Sequence, residues 1–212
     1  LTLRVARIER QTDAVSQFDL VAAHATRLPA PVPGSHVDLY LPGGFQRSYS
    51  IAEAPHRAGW RREPDGRATV ARYRVGIQRD RGSRGGSVAA HERLKVGDLI
   101  PVGSPRCGFP MPSGAGPLLL LAGGIGLTPL LAMAQQAVHD GRPVTLHAFA
   151  RRAEDLPFTA TLAEPDLAAV TVLHFDDRLA AVGRSPRDVL AGVVASPSHP
   201  GRLGGACLLY TS

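Results

Sequence analysis

The stretch Leu118-Leu-Leu-Leu-Ala-Gly-Gly-Ile-Gly-Leu-Thr-Pro129 constrains this chain more than any other. Apolar residues in an unbroken run describe a strand buried on both faces, the habit of parallel sheets. The glycines Gly123, Gly124 and Gly126 then permit a sharp turn, and Thr128 before Pro129 has the form of an N-cap followed by the first helical position. Such a strand, turn and helix start can hold a phosphate, because backbone N–H groups and the helix dipole face it and glycine lets a dinucleotide approach the backbone. The spacing is not Gly-x-Gly-x-x-Gly, since Pro129 stands where the third glycine would be. A tight turn without a ligand is the plain alternative.

The periodicity changes around this stretch. After it, Leu130, Leu131, Met133, Ala134, Ala137 and Val138 share one face of a helix over 129–138. Strands over 144–150 and 170–175 follow, and Ser185-Pro-Arg-Asp188 opens a further helix with Ser185 as its cap. Strand–helix alternation predicts a parallel α/β sheet. Before it, short alternating runs such as Leu1/Leu3/Val5, Val37/Leu39/Leu41 and Ala71/Tyr73/Val75 predict about six strands in a small antiparallel barrel. The polar stretch 56–68 reads as a hairpin loop with solvated arginines, and Trp60 as a lid over it. Met111-Pro-Ser-Gly-Ala-Gly-Pro117 is linker-like. The expected fold is therefore β plus α/β: an antiparallel barrel over 1–112, then a parallel α/β domain over 113–206.

Bulk properties narrow the function. The net charge is +6, but Lys95 is the only lysine among 24 basic residues, and the arginines are scattered with few aromatics between them. That is not the footprint of a nucleic-acid binder, and no nucleic-acid partner is expected. No apolar run approaches a membrane span and no export signal opens the chain, so a cytoplasmic protein without a membrane partner is expected. Cys107 and Cys207 are the only cysteines, too few for a four-ligand metal site or a disulfide framework, and the eight histidines lack ligand spacing. No metal site is expected. The chain begins at Leu1 rather than Met, which suggests a trimmed start.

Two further motifs carry chemistry. In Arg47-Ser48-Tyr49-Ser50, Arg47 and Tyr49 share one face of a strand and Ser50 points the other way. A guanidinium can clamp a phosphate, a phenol can pack on a flat aromatic cofactor, and a hydroxyl or amide can hydrogen-bond a flavin ring nitrogen. In Arg84-Gly85-Gly86-Ser87, introduced by Asp80-Arg-Gly-Ser83, the glycines let backbone amides approach an anion, and Ser87 can cap a short helix. Taken singly, each also fits an ordinary strand or turn. Asp176-Asp177 and Arg151-Arg152 end strands on the side where α/β sheets take ligands, and a solvated surface role suits them equally.

The last residues break the pattern. Past Leu190 one more strand is due, but the chain gives Ser196-Pro-Ser-His-Pro-Gly and ends Cys207-Leu-Leu-Tyr-Thr-Ser212. Those six residues are what TGT CTC TTA TAC ACA TCT encodes, the end of a transposon used in preparing sequencing libraries. The expectation is a non-native tail over 207–212, a nucleotide domain cut short, and an exposed sheet edge.

In order and spacing, Arg47-Ser-Tyr-Ser50, Arg84-Gly-Gly-Ser87 and Gly123-Gly-Ile-Gly-Leu-Thr-Pro129 resemble the ferredoxin–NADP reductase superfamily, and most nearly its phthalate dioxygenase reductase and vanillate demethylase reductase branch, over roughly residues 1–190. The resemblance implies a flavin-binding barrel followed by a nicotinamide-binding domain. It implies FMN, its phosphate on Arg47 and the loop Arg84 to Ser87, Tyr49 against the ring and Ser50 near N5 as a modulator. NADH would enter at Gly123, Gly124, Gly126 and Thr128. The implied activity is hydride transfer from NADH to FMN, then single electrons to a [2Fe–2S] centre that feeds a partner oxygenase. A Cys-Gly-Pro-type motif and a C-terminal [2Fe–2S] domain belong to that branch and are absent from this sequence. The alternatives are an FAD-dependent reductase of the same fold, flavohaemoglobin-like or a free flavin reductase, and a non-catalytic flavin electron-transfer subunit.

Overall fold

The computed structural model describes residues 1–24, 27–80, 82, 84–195 and 206–210. Alternation along the first hundred residues produces strands with one buried face. β1 (Thr2–Arg10) buries Leu3 and Val5, and β2 (Val15–Ala22) buries Phe18 and Leu20. β3 (Leu28–Pro29), β4 (Ser35–Leu41) and β5 (Phe45–Ser50) follow, then the short hairpin β6 (Arg61–Arg62) and β7 (Ala68–Val70) and the long β8 (Arg72–Gln78). Helix α1 (Gly86–Arg93), β9 (Leu99–Pro101) and β10 (Arg106–Cys107) complete this half. The strands form antiparallel sheets in the orders β8-β2-β1-β9, β10-β4-β5 and β3-β7-β6. Bridges Leu39↔Val102 and Ile51↔Val75 tie the larger two together around one core. Tyr73 lies fully buried in that core, and its hydroxyl donates to the Pro29 carbonyl at 2.6 Å, so its polar tip is satisfied. Burial also drives its phenol well above the ordinary pKa.

The second half begins with β11 (Leu118–Gly123), a single 3₁₀ turn over Gly124–Gly126, and α2 (Leu127–His139). Then come β12 (Val144–Ala150), the short helices α3 (Thr159–Leu162) and α4 (Pro165–Ala168), β13 (Thr171–Phe175), α5 (Asp176–Ala181), α6 (Pro186–Ala195) and β14 (Ala206–Tyr210). These strands form one parallel sheet, ordered β13-β12-β11-β14. The expected architecture, barrel then parallel α/β domain, is the one observed. α2 is buried nearly all round because it lies between the sheet and the barrel. Its Leu and Ala residues suit both helix and core, and Gln135 reaches across to accept the Ala54 N–H at 2.7 Å.

Several local expectations are corrected. Thr128 does not cap α2. The helix starts two residues earlier, at Leu127 with Gly126 as its N-cap, because the 3₁₀ turn runs directly into it. Ser87 lies inside α1, whose N-cap is Gly85, and its hydroxyl accepts the Asp80 N–H at 3.2 Å. Ser185 does cap α6: its hydroxyl accepts from the Asp188 N–H, and the Asp188 carboxylate accepts from Ser185. In the polar stretch 56–68, Arg61 and Arg62 are exposed as expected, but Arg57 crosses to the second domain and pairs with Glu164 and Asp166. At the sheet edge expected to be open, backbone 206–210 pairs in parallel with β11, from Leu118↔Ala206 to Ala122↔Tyr210. The unpaired N–H and C=O groups of a central strand accept an extended segment of any origin. Residues 81, 83, 196–205, 211 and 212, which the sequence reading also covers, lie outside the described residues.

Candidate functional site

Strand β5 carries the first motif. Arg47 and Tyr49 pair across the ladder with Leu39 and Val37, so they share the inward face at the end of the barrel. Ser48 pairs with Asp38 on the opposite face, and its hydroxyl donates to the Asp38 carboxylate at 2.5 Å. The loop before α1 comes to the same place from more than thirty residues away. A Cβ on Gly86 would stand 2.8 Å from both Cγ and Nε of Arg47. Gly85 has φ of +98°, and a Cβ there would meet Phe45 Cζ at 2.6 Å. Gly85 is required for its backbone conformation, and a side chain at Gly86 would displace the Arg47 side chain that lies on it. The Arg47 guanidinium carbon stands 5.7 Å from the Phe45 ring centroid. Arg84 is exposed beside this junction.

Next to it a cavity of about 450 Å³ is lined by Ser48, Tyr49, Ser50, Gly76, Gln78, Asp80, Ile125 and Thr128. Burial raises the Tyr49 phenol to about 12, against the lowering effect of Arg47, so it stays protonated and neutral at physiological pH. A second cavity of about 700 Å³ opens from Gly123, Gly124 and Ile125 and continues along Phe149, Ala150, Arg151, Arg152, Asp155 and Asp176. Thr12, Ala14, Val15 and Gln78 form its barrel wall. The two cavities share Gln78 and Ile125 and are therefore neighbours at the domain junction. The second lies at the carboxyl ends of β11, β12 and β13, where open α/β sheets take ligands.

Of the residues singled out in the three motifs, Ser48, Tyr49 and Ser50 line the smaller cavity and Gly85 and Gly86 lie against Phe45 and Arg47, whereas Arg84 lines neither cavity. Gly123 and Gly124 line the nucleotide-sized cleft, whereas Thr128 lines the smaller cavity and donates its hydroxyl to the Ile125 carbonyl at 3.0 Å. Gly126, buried, closes the turn as N-cap of α2. Sequence reasoning missed Phe45, Gly76, Gln78 and the β1–β2 turn. Gly76 had a signal, since a glycine inside an alternating strand marks a close approach. Gln78 and Thr12 had none, because their role depends on where the second domain sits.

Asp38 supports the site from behind. Its carboxylate accepts from Ser48 and from Gln46 at 3.4 Å and pairs with Arg106. The Ser48 hydrogen bond first, then Arg106, hold it below its ordinary value of 3.8 against the opposing effect of burial. A lowered folded-state pKa adds stability above the unfolded value and loses it as pH falls through the folded value. Denaturant midpoints measured between about pH 5 and pH 2 are expected to fall less steeply in Asp38→Asn than in the parent, because one acid-sensitive contribution is gone. Parallel curves would remove Asp38 from the account. Among the described residues, no group of three or more His, Cys, Asp or Glu is placed to hold a metal ion, and no helix is long and apolar enough to cross a membrane.

An antiparallel barrel whose cavity abuts a glycine turn on a parallel α/β domain defines a ferredoxin reductase-type scaffold. Similarity to known proteins agrees. The chain is 36% identical over 176 residues to the tert-butanol monooxygenase / tert-amyl alcohol desaturase reductase subunit of Aquincola tertiaricarbonis, covering 83% of this chain and 49% of that protein. It is 36% identical over 163 residues to the vanillate O-demethylase oxidoreductase of Pseudomonas sp. strain HR199, covering 77% of this chain and 48% of that protein. The crystallised phthalate dioxygenase reductase, described as carrying electrons from pyridine nucleotides to [2Fe–2S], superposes with a TM-score of 0.77 at 24% identity, over 99% of this chain and 67% of that one. No protein-family model matches the chain. The chain has the ferredoxin reductase-like fold, and the curated proteins it resembles in sequence are named as reductase components of oxygenase and O-demethylase systems. It spans about half the length of the curated relatives it matches.

Proposed function

We propose that this chain is the flavin- and nicotinamide-binding part of an NADH-dependent reductase, which in the whole protein supplies electrons through a [2Fe–2S] centre to a partner oxygenase or O-demethylase. One observation carries the reading: Arg47 on β5 and Gly86 at the start of α1 interlock beside a cavity that shares Gln78 and Ile125 with the cleft at the glycine turn. The residues fit FMN. Arg47 with the amides of Gly85 and Gly86 would hold its phosphate, with Arg84 and Ser87 at the edge of that loop. Tyr49, neutral, would pack on the ring, and Ser48 and Ser50 would line it. Gly123 and Gly124 would admit the NADH phosphates, with Gly126 and Thr128 shaping the turn. Bound there, a flavin supplies two-electron acceptance from a nicotinamide and one-electron release, which side chains alone lack. The protein's share is binding, alignment and exclusion of water.

In this reading the barrel is 1–112, the nucleotide domain 113–206, and 207–212 a foreign end; Arg142, which donates to the carbonyls of Pro112 and Gly116, supports the boundary. The exposed thiol of Cys107 fits a reducing cytoplasm. The test is to identify the flavin bound by the purified chain by absorbance and mass, then add NADH without oxygen. Bound FMN and loss of its visible absorbance are expected. Bound FAD would redirect the reading to a flavohaemoglobin-like or flavin reductase, and a bound flavin that NADH leaves oxidised would indicate a non-catalytic electron-transfer subunit. No flavin after reconstitution would overturn the proposal.

A further inference from the structure

Phe158 is the one non-glycine residue with positive φ among the described residues, at +60°. A bulky residue keeps that conformation only where its surroundings impose it. The ring is buried against β8: a Cβ on Gly76 would meet Phe158 Cζ at 3.0 Å and Cε2 at 3.1 Å, and Thr128 Cγ2 at 2.9 Å. The Phe158 N–H donates across the domain junction to Gln11 Oε1 at 3.0 Å. From Gln11 a line of polar contacts runs over the outer face of β2 and β8. The Gln11 amide donates to Gln17 at 3.5 Å, and Gln17 donates to Asp19 at 3.2 Å. Arg74 clamps Asp19 at 2.8 and 3.0 Å and reaches Glu53 at 3.2 Å. Beside Glu53, the Ala54 N–H crosses to Gln135 of α2. Gln17, Asp19 and Glu53 are buried and paired within the barrel, so this chain of contacts holds Gln11 and the segment at Glu53 in place. The bonds that cross the junction start from its two ends, at Gln11 to Phe158 and at Ala54 to Gln135, and sliding of the domains would leave those buried groups unpaired.

We propose that Phe158 is a positioning residue. Seated on Gly76 and tethered by Gln11, it sets the register of the nucleotide domain on the barrel, and with it the separation of the two cavities that meet at Gln78 and Ile125. The kinetic consequence rests on the function proposed above; the docking role does not. Gly76 and Thr128 line the ring-sized cavity, so the wedge forms the rear of the wall where donor and acceptor must meet. A displacement of about 1 Å there is enough to slow transfer severely without removing a ligand contact.

The test compares Phe158→Ala and the milder Gln11→Ala with the parent chain by amide hydrogen exchange and by anaerobic single-turnover reduction with NADH. In both variants the Ala54 amide, bonded across the junction, is expected to exchange about tenfold faster. The Val75 and Leu146 amides, inside the sheets of the two domains, keep their protection. Flavin and NADH dissociation constants are expected to stay within about threefold, while reduction at saturating NADH slows about tenfold or more in Phe158→Ala. Unchanged Ala54 exchange in both variants would overturn the docking role. Faster Ala54 exchange with an unchanged reduction rate would overturn the positioning role. Loss of protection throughout Phe158→Ala would report unfolding, and Gln11→Ala then decides. A parent chain that NADH does not reduce would count against the proposed function, and the exchange data would still decide whether Phe158 docks the domains.

Discussion

Arg47→Ala is expected to weaken FMN binding about a hundredfold, read by quenching of flavin fluorescence during titration. The guanidinium is half-buried, lies on Gly86 and is flanked by Phe45, so its orientation is largely set before any ligand arrives. A preorganised charge that makes charge-assisted hydrogen bonds to a phosphate contributes about 2–4 kcal/mol when removed, and about 1.4 kcal/mol is tenfold. Arg47→Lys is expected to recover only part of this, since an ammonium is a point charge that cannot make the paired contacts of a planar fork. Arg4→Ala, an exposed position on β1, serves as the charge-matched control and is expected to change affinity little. Equal losses at Arg47 and Arg4 would mean that net charge rather than placement governs binding. No loss at Arg47 would place the phosphate elsewhere and remove the central support for the proposed function.

Gly34→Ala is expected to lower the melting temperature by about 10 °C. Gly34 is buried at the entry to β4 with φ of +88°. A Cβ there would lie 1.8 Å from the Phe109 carbonyl oxygen and 2.7 Å from Met133 Cε. The methionine end can move, but the carbonyl belongs to the backbone that leads from barrel to nucleotide domain, so the clash must shift main chain. Left-handed strain of about 1–2 kcal/mol adds to this, for a total of about 3–5 kcal/mol. Gly44→Ala separates the two causes: its φ is +77° but a Cβ meets nothing within 4 Å. It is expected to cost only the strain, about 1 kcal/mol. Thermal melts of both variants, followed by circular dichroism, make the comparison. Equal costs would show that contact with Phe109 is relieved cheaply.

Much of the molecule was legible from pattern. Strand β11 announced itself because a parallel central strand is apolar on both faces, and Leu118 to Ala122 has no polar residue to place outward. α2 followed from the 3.6-residue period, and α6 from the Ser185–Asp188 pair. The barrel strands showed in alternation, although short ones such as β3, β6 and β10, two residues each, carry too little period to be seen. Helix starts were less legible. Thr128 has the chemistry of an N-cap, but the 3₁₀ turn over Gly124–Gly126 leads into the helix before it, and a three-residue turn is too short to show a sequence period. Arg57 read as a solvated loop charge because its partners, Glu164 and Asp166, lie a hundred residues on.

By itself, the sequence determined the type and order of the longer elements and the three motifs, because side-chain period, glycine content and capping chemistry are local properties. It also determined that Arg47 and Tyr49 share a strand face and that Ser48 does not. Tertiary structure alone decided that Gly86 lies on Arg47, that Gly76 faces Phe158 and Thr128, and that Gln78 and Ile125 belong to both cavities. These are contacts between residues far apart in the chain, and their geometry depends on how two domains dock. Docking is set by the summed fit of a buried polar seam and one aromatic wedge, a quantity that no window of sequence contains.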